Sequence, residues 1–225
     1  MSEKVKPGGS GKGKGRACGW WREVLAGFFL LLVATLFFRR VTLGGKVLLP
    51  FDTLFYHQPW RQFAAQESVG IPHNALLGDL VLENYAWKRF LVECLRNRQL
   101  PLWNPYLFAG VPFLAAGQHS ALYPFSILFY LLPISRAYGY FTMLQLALAG
   151  VFMYIYLRVL GTGRWGALLA GLVYGFSGFM IVRVVFPMAL SVCAWLPLVI
   201  TEVELAVRRM EEAKEGSVGF TPALL

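Results

Sequence analysis

Charge is what this sequence has least of: 15% of its 225 residues are Asp, Glu, Lys or Arg, against 57% that are hydrophobic. Soluble domains carry about 25% charged residues, so the composition excludes an ordinary water-soluble domain and points to a membrane protein. A mean hydropathy of +0.54 agrees. Acid is scarcer than base, with 12 Asp and Glu against 21 Lys and Arg, a net charge of +9. That excess is not spread as a nucleic-acid-binding face would be. Lys4, Lys6, Lys12, Lys14, Arg16 and Arg22 crowd the first 22 residues, and other cations cluster at the ends of apolar runs. Positive-inside placement and interfacial snorkelling produce this pattern, which argues against a nucleic-acid partner.

Cysteine and catalytic signatures are also sparse. Cys18, Cys94 and Cys193 show no metal-ligand spacing, and an odd count gives no disulfide framework, so three free thiols are expected. His57, His73 and His119 lack the HExxH spacing and read as interfacial hydrogen-bonding residues rather than metal ligands. There is no GxSxG elbow. The early GSGKGKG resembles a phosphate loop only superficially, because no strand precedes it and no helical pattern opens on it.

What is present is a set of apolar runs. Residues 1–19 are Lys/Gly-rich and read as a disordered cytosolic tail near anionic head groups. Trp20–Phe38 is a nearly unbroken apolar run closed by Arg39 and Arg40, and about 20 residues suffice to span the hydrocarbon core. A cleaved signal peptide is the rival, but no small-x-small site follows the run. Further spans are expected at 137–157, 165–182 and 190–207, the last kinked near Pro197. Gly171-x-x-x-Gly175 offers a close-packing face in the third span. The membrane domain thus covers 20–209, and a polar tail covers 210–225. The fold class expected is all-α: a polytopic transmembrane protein of about four spans with a large loop, 41–136, of short amphipathic helices.

Within that loop, Asp79–Arg98 reads as a helix. Trp87, Phe90, Leu91, Cys94 and Leu95 share one face, while Lys88, Arg89, Glu93 and Arg96 point the other way. Ala121–Pro133 is apolar but short and contains Pro124, which suits an interfacial or re-entrant segment. Arg158, Arg164, Arg208, Arg209 and Lys214 join the tail cations on one side, whereas the turn between spans three and four holds only Arg183. Both termini are therefore expected in the cytosol and the large loop on the outer face of the cell membrane.

Two loop carboxylates are candidates for chemistry. Asp79 lies at an expected helix start, where it fits an N-cap as readily as a catalytic acid. Asp52, in PFDTLFYHQPW, fits a turn. Glu83, one turn beyond Asp79, would share its face. Two carboxylates without defined spacing leave a divalent cation open, and the sequence assigns no metal ligand.

The order GDLxxxNYxWKRFL from Gly78, then LPLWNPYLFAGVPFLAAGQHSALYPFSILFYLLP, resembles the YfhO-type membrane proteins of the GT-C glycosyltransferase superfamily. AYGYFTMLQLALAGVFMYIYLRVLG, GFSGFM and AWLPLVITEVE continue the same order, so the resemblance covers roughly residues 45–206. It implies an enzyme that moves a sugar from a polyprenyl-phosphate donor to a cell-envelope acceptor, on a GT-C-like fold. In that family an acidic residue of the first outer loop is essential. The resemblance sets Asp79 at the acidic position just before the PLWNP region and Asp52, less securely, at the superfamily aspartate that follows the first span.

Base catalysis at an acceptor hydroxyl and cations on a departing phosphate suit this chemistry. Lys88, Arg89 and Arg61 are the phosphate candidates, with interfacial snorkelling as their alternative. Trp103, Asn104 and Tyr106 of PLWNPY are the substrate-binding candidates, and the aromatics fit an interfacial belt equally. The resemblance implies longer family members, so the chain reads as the amino-terminal part, with the remaining part expected as a partner alongside membrane lipids. The rival functions are a non-enzymatic lipid-binding, transport-related or accessory protein, and a plain anchor.

Overall fold

The computed structural model describes residues 20–70 and 75–218. The expectations for the basic tail, Cys18, His73 and the last seven residues lie outside it.

Among the described residues four segments are long and apolar enough to cross a membrane: Trp20–Phe37, Ile134–Val159, Arg164–Val185 and Pro187–Lys214. The first is helix α1 (Trp20–Phe37), followed by a single turn, α2 (Arg39–Thr42). The central span is α6 (Ile134–Val159), which packs against α1, α7 (Arg164–Gly175) and α9 (Pro187–Val218). Without water to drive helices together, close backbone approach must supply much of the adhesion. The glycines provide it. A Cβ built on Gly171 would stand 2.6 Å from the Gly150 carbonyl oxygen, and one on Gly175 would stand 2.9 Å from that of Leu146. The expected small-residue face is therefore the α6–α7 seam.

The third span differs from the expected continuous helix, and the fourth carries the expected proline; polar side chains accommodate both. The third breaks after Gly175, and Ser177 caps its second piece, α8 (Gly178–Val182), by accepting the Met180 N–H at 3.4 Å. In α9, Pro197 has no N–H to offer the carbonyl four residues back. That carbonyl, on Cys193, instead accepts the Tyr174 hydroxyl at 2.7 Å, which ties α7 to α9 at the proline. The helix then continues through Val218, beyond the expected end of the span near 207.

Between α1 and α6 the loop folds onto the end of the bundle. Leu80, Phe129, Ala137, Tyr138 and Phe141 form its buried cluster, and Leu49, Tyr85 and Tyr123 pack against it. The segment 121–133 is a 3-10 turn (Pro124–Ser126) followed by α5 (Ile127–Leu131), lying on α6 rather than crossing. The expected helix 79–98 is in two parts, a π-helical stretch (Leu80–Tyr85) running into α3 (Ala86–Arg96).

A two-stranded antiparallel ribbon, β1 (Trp103–Asn104) with β2 (Val111–Pro112), precedes the single turn α4 (Phe113–Ala116). Strands this short leave no alternating pattern to read. Among the described residues the architecture is all-α apart from this ribbon, as the apolar runs implied.

Candidate functional site

The site grows from a turn. The Asn104 side-chain oxygen accepts the Tyr106 N–H at 3.0 Å, an Asx turn that folds PYLFAG back on itself. Phe108, Ala109 and Gly110 then take positive φ angles of 47°, 61° and 116°. At Gly110 a Cβ would come within 2.4 Å of the Trp103 indole nitrogen, so only glycine lets the ribbon close. The ribbon docks on α3 through rings: Phe90 stands edge-on to Phe113 at 4.9 Å and to Tyr106 at 5.9 Å.

This docking leaves a cleft of about 530 Å³ between α3 and the ribbon, lined by Glu83, Trp87, Arg89, Glu93, Asn104 and Tyr106 among others. Three sequence-predicted residues, Arg89, Asn104 and Tyr106, thus meet in one place. Tyr106 is 77% exposed, whereas Asn104 is buried and fixed by its turn. Trp103 stacks over Gly110 outside the cleft. Glu83 and Glu93 were not assigned chemistry from the sequence; no spacing signal links residues of α3 to a ribbon whose pairing is invisible beforehand.

Asp79 lies at the entry to the π-helical stretch with its side chain exposed, and its carboxylate makes no capping hydrogen bond. The N-cap reading therefore fails, and the backbone confirms why: Asp79 already has helical φ and ψ of −56° and −34°, which a capping residue lacks. Asp52 is exposed in a 3-10 turn (Phe51–Tyr56) that packs against the turn Ala75–Gly78 and the π-helical stretch. The two aspartate-bearing segments therefore adjoin. Arg61 is exposed on the neighbouring turn Trp60–Phe63. No cluster of three or more His, Cys, Asp and Glu suited to a metal occurs among the described residues.

Lys88 is where the structure departs most from expectation. It faces inward, 5% exposed, donating to the Ser126 hydroxyl at 3.0 Å with its ammonium 4.6 Å from the Phe129 ring centre. Ser126 in turn donates to the Ser120 carbonyl at 2.6 Å. No carboxylate pairs with the amine among the described residues, and burial pulls its pKa down to about 7. The inward face of α3 is Lys88, Leu91, Val92 and Cys94, while Leu95 is exposed.

His119 is the neighbouring buried group. Its Nδ1 accepts the Ala121 N–H at 3.1 Å and its Nε2 lies 2.8 Å from the Phe113 carbonyl, the geometry of a neutral ring donating at Nε2. Burial, helped by the Lys88 charge, keeps its pKa below the usual value. With both nitrogens used, it is a structural residue.

A second cleft, about 650 Å³ and apolar, opens between residues 114–123 and α9, with Leu114, Leu122, Met188, Val192 and Leu196 in its walls. At its inner edge the Trp195 indole donates to the Tyr123 hydroxyl at 2.8 Å, which donates to Gln145 at 2.7 Å.

Four apolar spans carrying a packed loop at one end define a polytopic α-helical membrane protein. Residues 114–212 match the family model described as bacterial membrane protein YfhO, which bears out the resemblance across the end of the loop and the last three spans. The match begins downstream of Asp79 and of the ribbon. No curated protein and no solved structure matches the chain.

Proposed function

We propose that this chain works in membrane sugar transfer, from a polyprenyl-phosphate-linked sugar to a cell-envelope acceptor, with the loop on the outer face and both described ends of the bundle in the orientation the cations favour. The acceptor hydroxyl oxygen bonds to the anomeric carbon as that carbon's bond to the phosphate oxygen breaks. Asp79 takes the hydroxyl proton, and polyprenyl phosphate leaves with the electron pair. Asp52 is the second acidic candidate. Arg89 and Arg61 take the phosphate in this scheme, while Asn104, Tyr106 and Trp103 offer hydrogen bonds and ring faces to sugar. Lys88, as a buried amine, supports the loop from behind in this scheme.

The observation that carries the reading is the uncommitted Asp79 carboxylate: an exposed acid that caps nothing, on a loop otherwise fixed by packing. The family match supports it, as does the apolar cleft beside α9, which suits an isoprenoid chain. The same cleft favours the second reading, lipid binding without transfer. Transfer from a polyprenyl-phosphate-sugar pool in membranes separates the two. Asp79→Asn should abolish transfer while lipid retention survives; full transfer by the variant would overturn the assignment.

A further inference from the structure

The end of the bundle opposite the loop holds a second concentration of charge. The Glu23 carboxylate accepts from Arg164 at 2.9 Å, from Arg158 at 3.3 Å and from the Tyr154 hydroxyl, binding α1 to α6 and α7. Arg22, the preceding residue, lies over the Trp21 ring at 5.3 Å and makes no ion pair among the described residues. Two guanidinium groups thus share one carboxylate, and Arg22 lines the adjoining cleft as a third, so three positive charges stand against one negative.

Beside them opens a cleft of about 670 Å³. Arg22 and Arg164 stand at its rim, and Leu25, Phe29 and Leu168 form its floor. Trp165, 84% exposed, flanks it. The first turn of α7 starts here without a side-chain cap on Gly163, so its free N–H groups and positive dipole end add to the field.

We propose that this cleft is a specific site for one anionic phospholipid of the leaflet that meets the amino-terminal end of α1. The head-group phosphate sits between Arg22 and Arg164, and an acyl chain runs along Leu25, Phe29 and Leu168. The floor decides between lipid and free phosphate: Leu25 and Phe29 are 53% and 43% exposed on a span, where hydrocarbon is the surrounding solvent. Charge complementarity excludes the amino-terminal residues as occupant, since Lys4, Lys6, Lys12, Lys14 and Arg16 carry the same sign. The site is independent of the proposed transfer activity.

Native mass spectrometry of the full chain in detergent tests it, with dioleoylphosphatidylglycerol, dioleoylphosphatidylcholine and inorganic phosphate as probes. One phosphatidylglycerol should be retained at least about tenfold more tightly than phosphatidylcholine, since each arginine near a membrane surface contributes about fivefold toward anionic lipid. Arg164→Gln also breaks the Glu23 pair, so Arg22→Gln is the deciding variant. It should weaken phosphatidylglycerol about fivefold and leave phosphatidylcholine unchanged, while Arg183→Gln at the other end of the bundle leaves both unchanged. Equal retention of the two lipids, or unaltered phosphatidylglycerol binding in Arg22→Gln, would overturn the proposal. So would displacement of the lipid by inorganic phosphate at comparable concentration, which would mark a simple anion site.

Discussion

Replacing Lys88 by methionine should make the protein more stable at neutral pH, an unusual outcome for losing a buried hydrogen bond. Burial lowers the amine's pKa from 10.5 to about 7. At pH 7 the unfolded chain holds that proton fully and the folded chain holds it about half the time, a cost of about 4 kcal/mol to folding. Methionine keeps the unbranched stem and removes this cost. Against it stand the lost bond to Ser126, about 1 kcal/mol, and the lost contact with Phe129, about 1 kcal/mol. Ser126 keeps its own donor satisfied by Ser120, so no polar group is stranded. The net gain is about 2 kcal/mol, or a rise in Tm of roughly 4–8 °C for a chain of this size.

The sign with pH follows from the depressed pKa. Between about 7 and 10.5 the unfolded state binds more protons, so the wild type gains stability as pH rises through this window; below pH 6 the penalty is complete and flat. From pH 7 to pH 9 the penalty shrinks by about 2 kcal/mol, which closes the gap between wild type and Lys88→Met. Thermal unfolding of both in the same detergent across this range is the assay. A variant less stable than wild type at pH 7, or a gap that does not change between pH 7 and pH 9, would refute the reasoning. Loss of sugar transfer in a stable Lys88→Met protein would return the amine to the phosphate role that the sequence suggested.

Asp79→Asn should leave Tm unchanged, because the carboxylate caps nothing, and should lower transfer at least about 100-fold in a membrane assay if it is the base. Glu23→Gln strips three donors of a shared charged acceptor and leaves Arg158 and Arg164 repelling each other; because these groups are partly exposed, a loss of about 1–2 kcal/mol is expected by thermal unfolding. Gly171→Val pushes a branched side chain into the Gly150 carbonyl across the α6–α7 seam and should cost about 3 kcal/mol or prevent folding, seen as loss of a monodisperse peak in size-exclusion chromatography. Gly110→Ala, strained by φ and blocked by Trp103, should open the ribbon and shift the near-ultraviolet signal of the indole.

The spans were legible because length and hydrophobicity alone decide whether a segment crosses a bilayer, and no tertiary partner changes that. Gly171 and Gly175 were legible for a related reason: a seam without side chains has few other uses in a span. The break at Ser177 was hidden because a single serine between apolar neighbours leaves the run reading as one span, and one hydroxyl cap redirects the helix. Lys88 misled for a different reason. On an amphipathic helix a lone cation belongs outside unless something buried receives it, and its receivers, Ser126 and Phe129, lie about forty residues away on α5 and the turn before it.

The candidate site shows the same division at finer scale. Periodicity could place Glu83, Arg89 and Glu93 on one helix, and composition could mark WNPYLFAG as a turn, but neither could say that the turn docks on that helix. Three local requirements make it do so: the Asn104 side chain fixing Tyr106, glycine at the φ of 116° beneath Trp103, and Phe90 presented to Phe113 and Tyr106. The first two are short-range consequences of residue type and the third is a longer-range ring contact, and their sum is a cleft that brings together groups from opposite ends of a 24-residue stretch, Glu83 to Tyr106. It follows that Asn104→Ala should be more damaging than Tyr106→Phe. The first releases the turn and so disperses the cleft, whereas the second removes a single exposed hydroxyl and leaves the ring against Phe90.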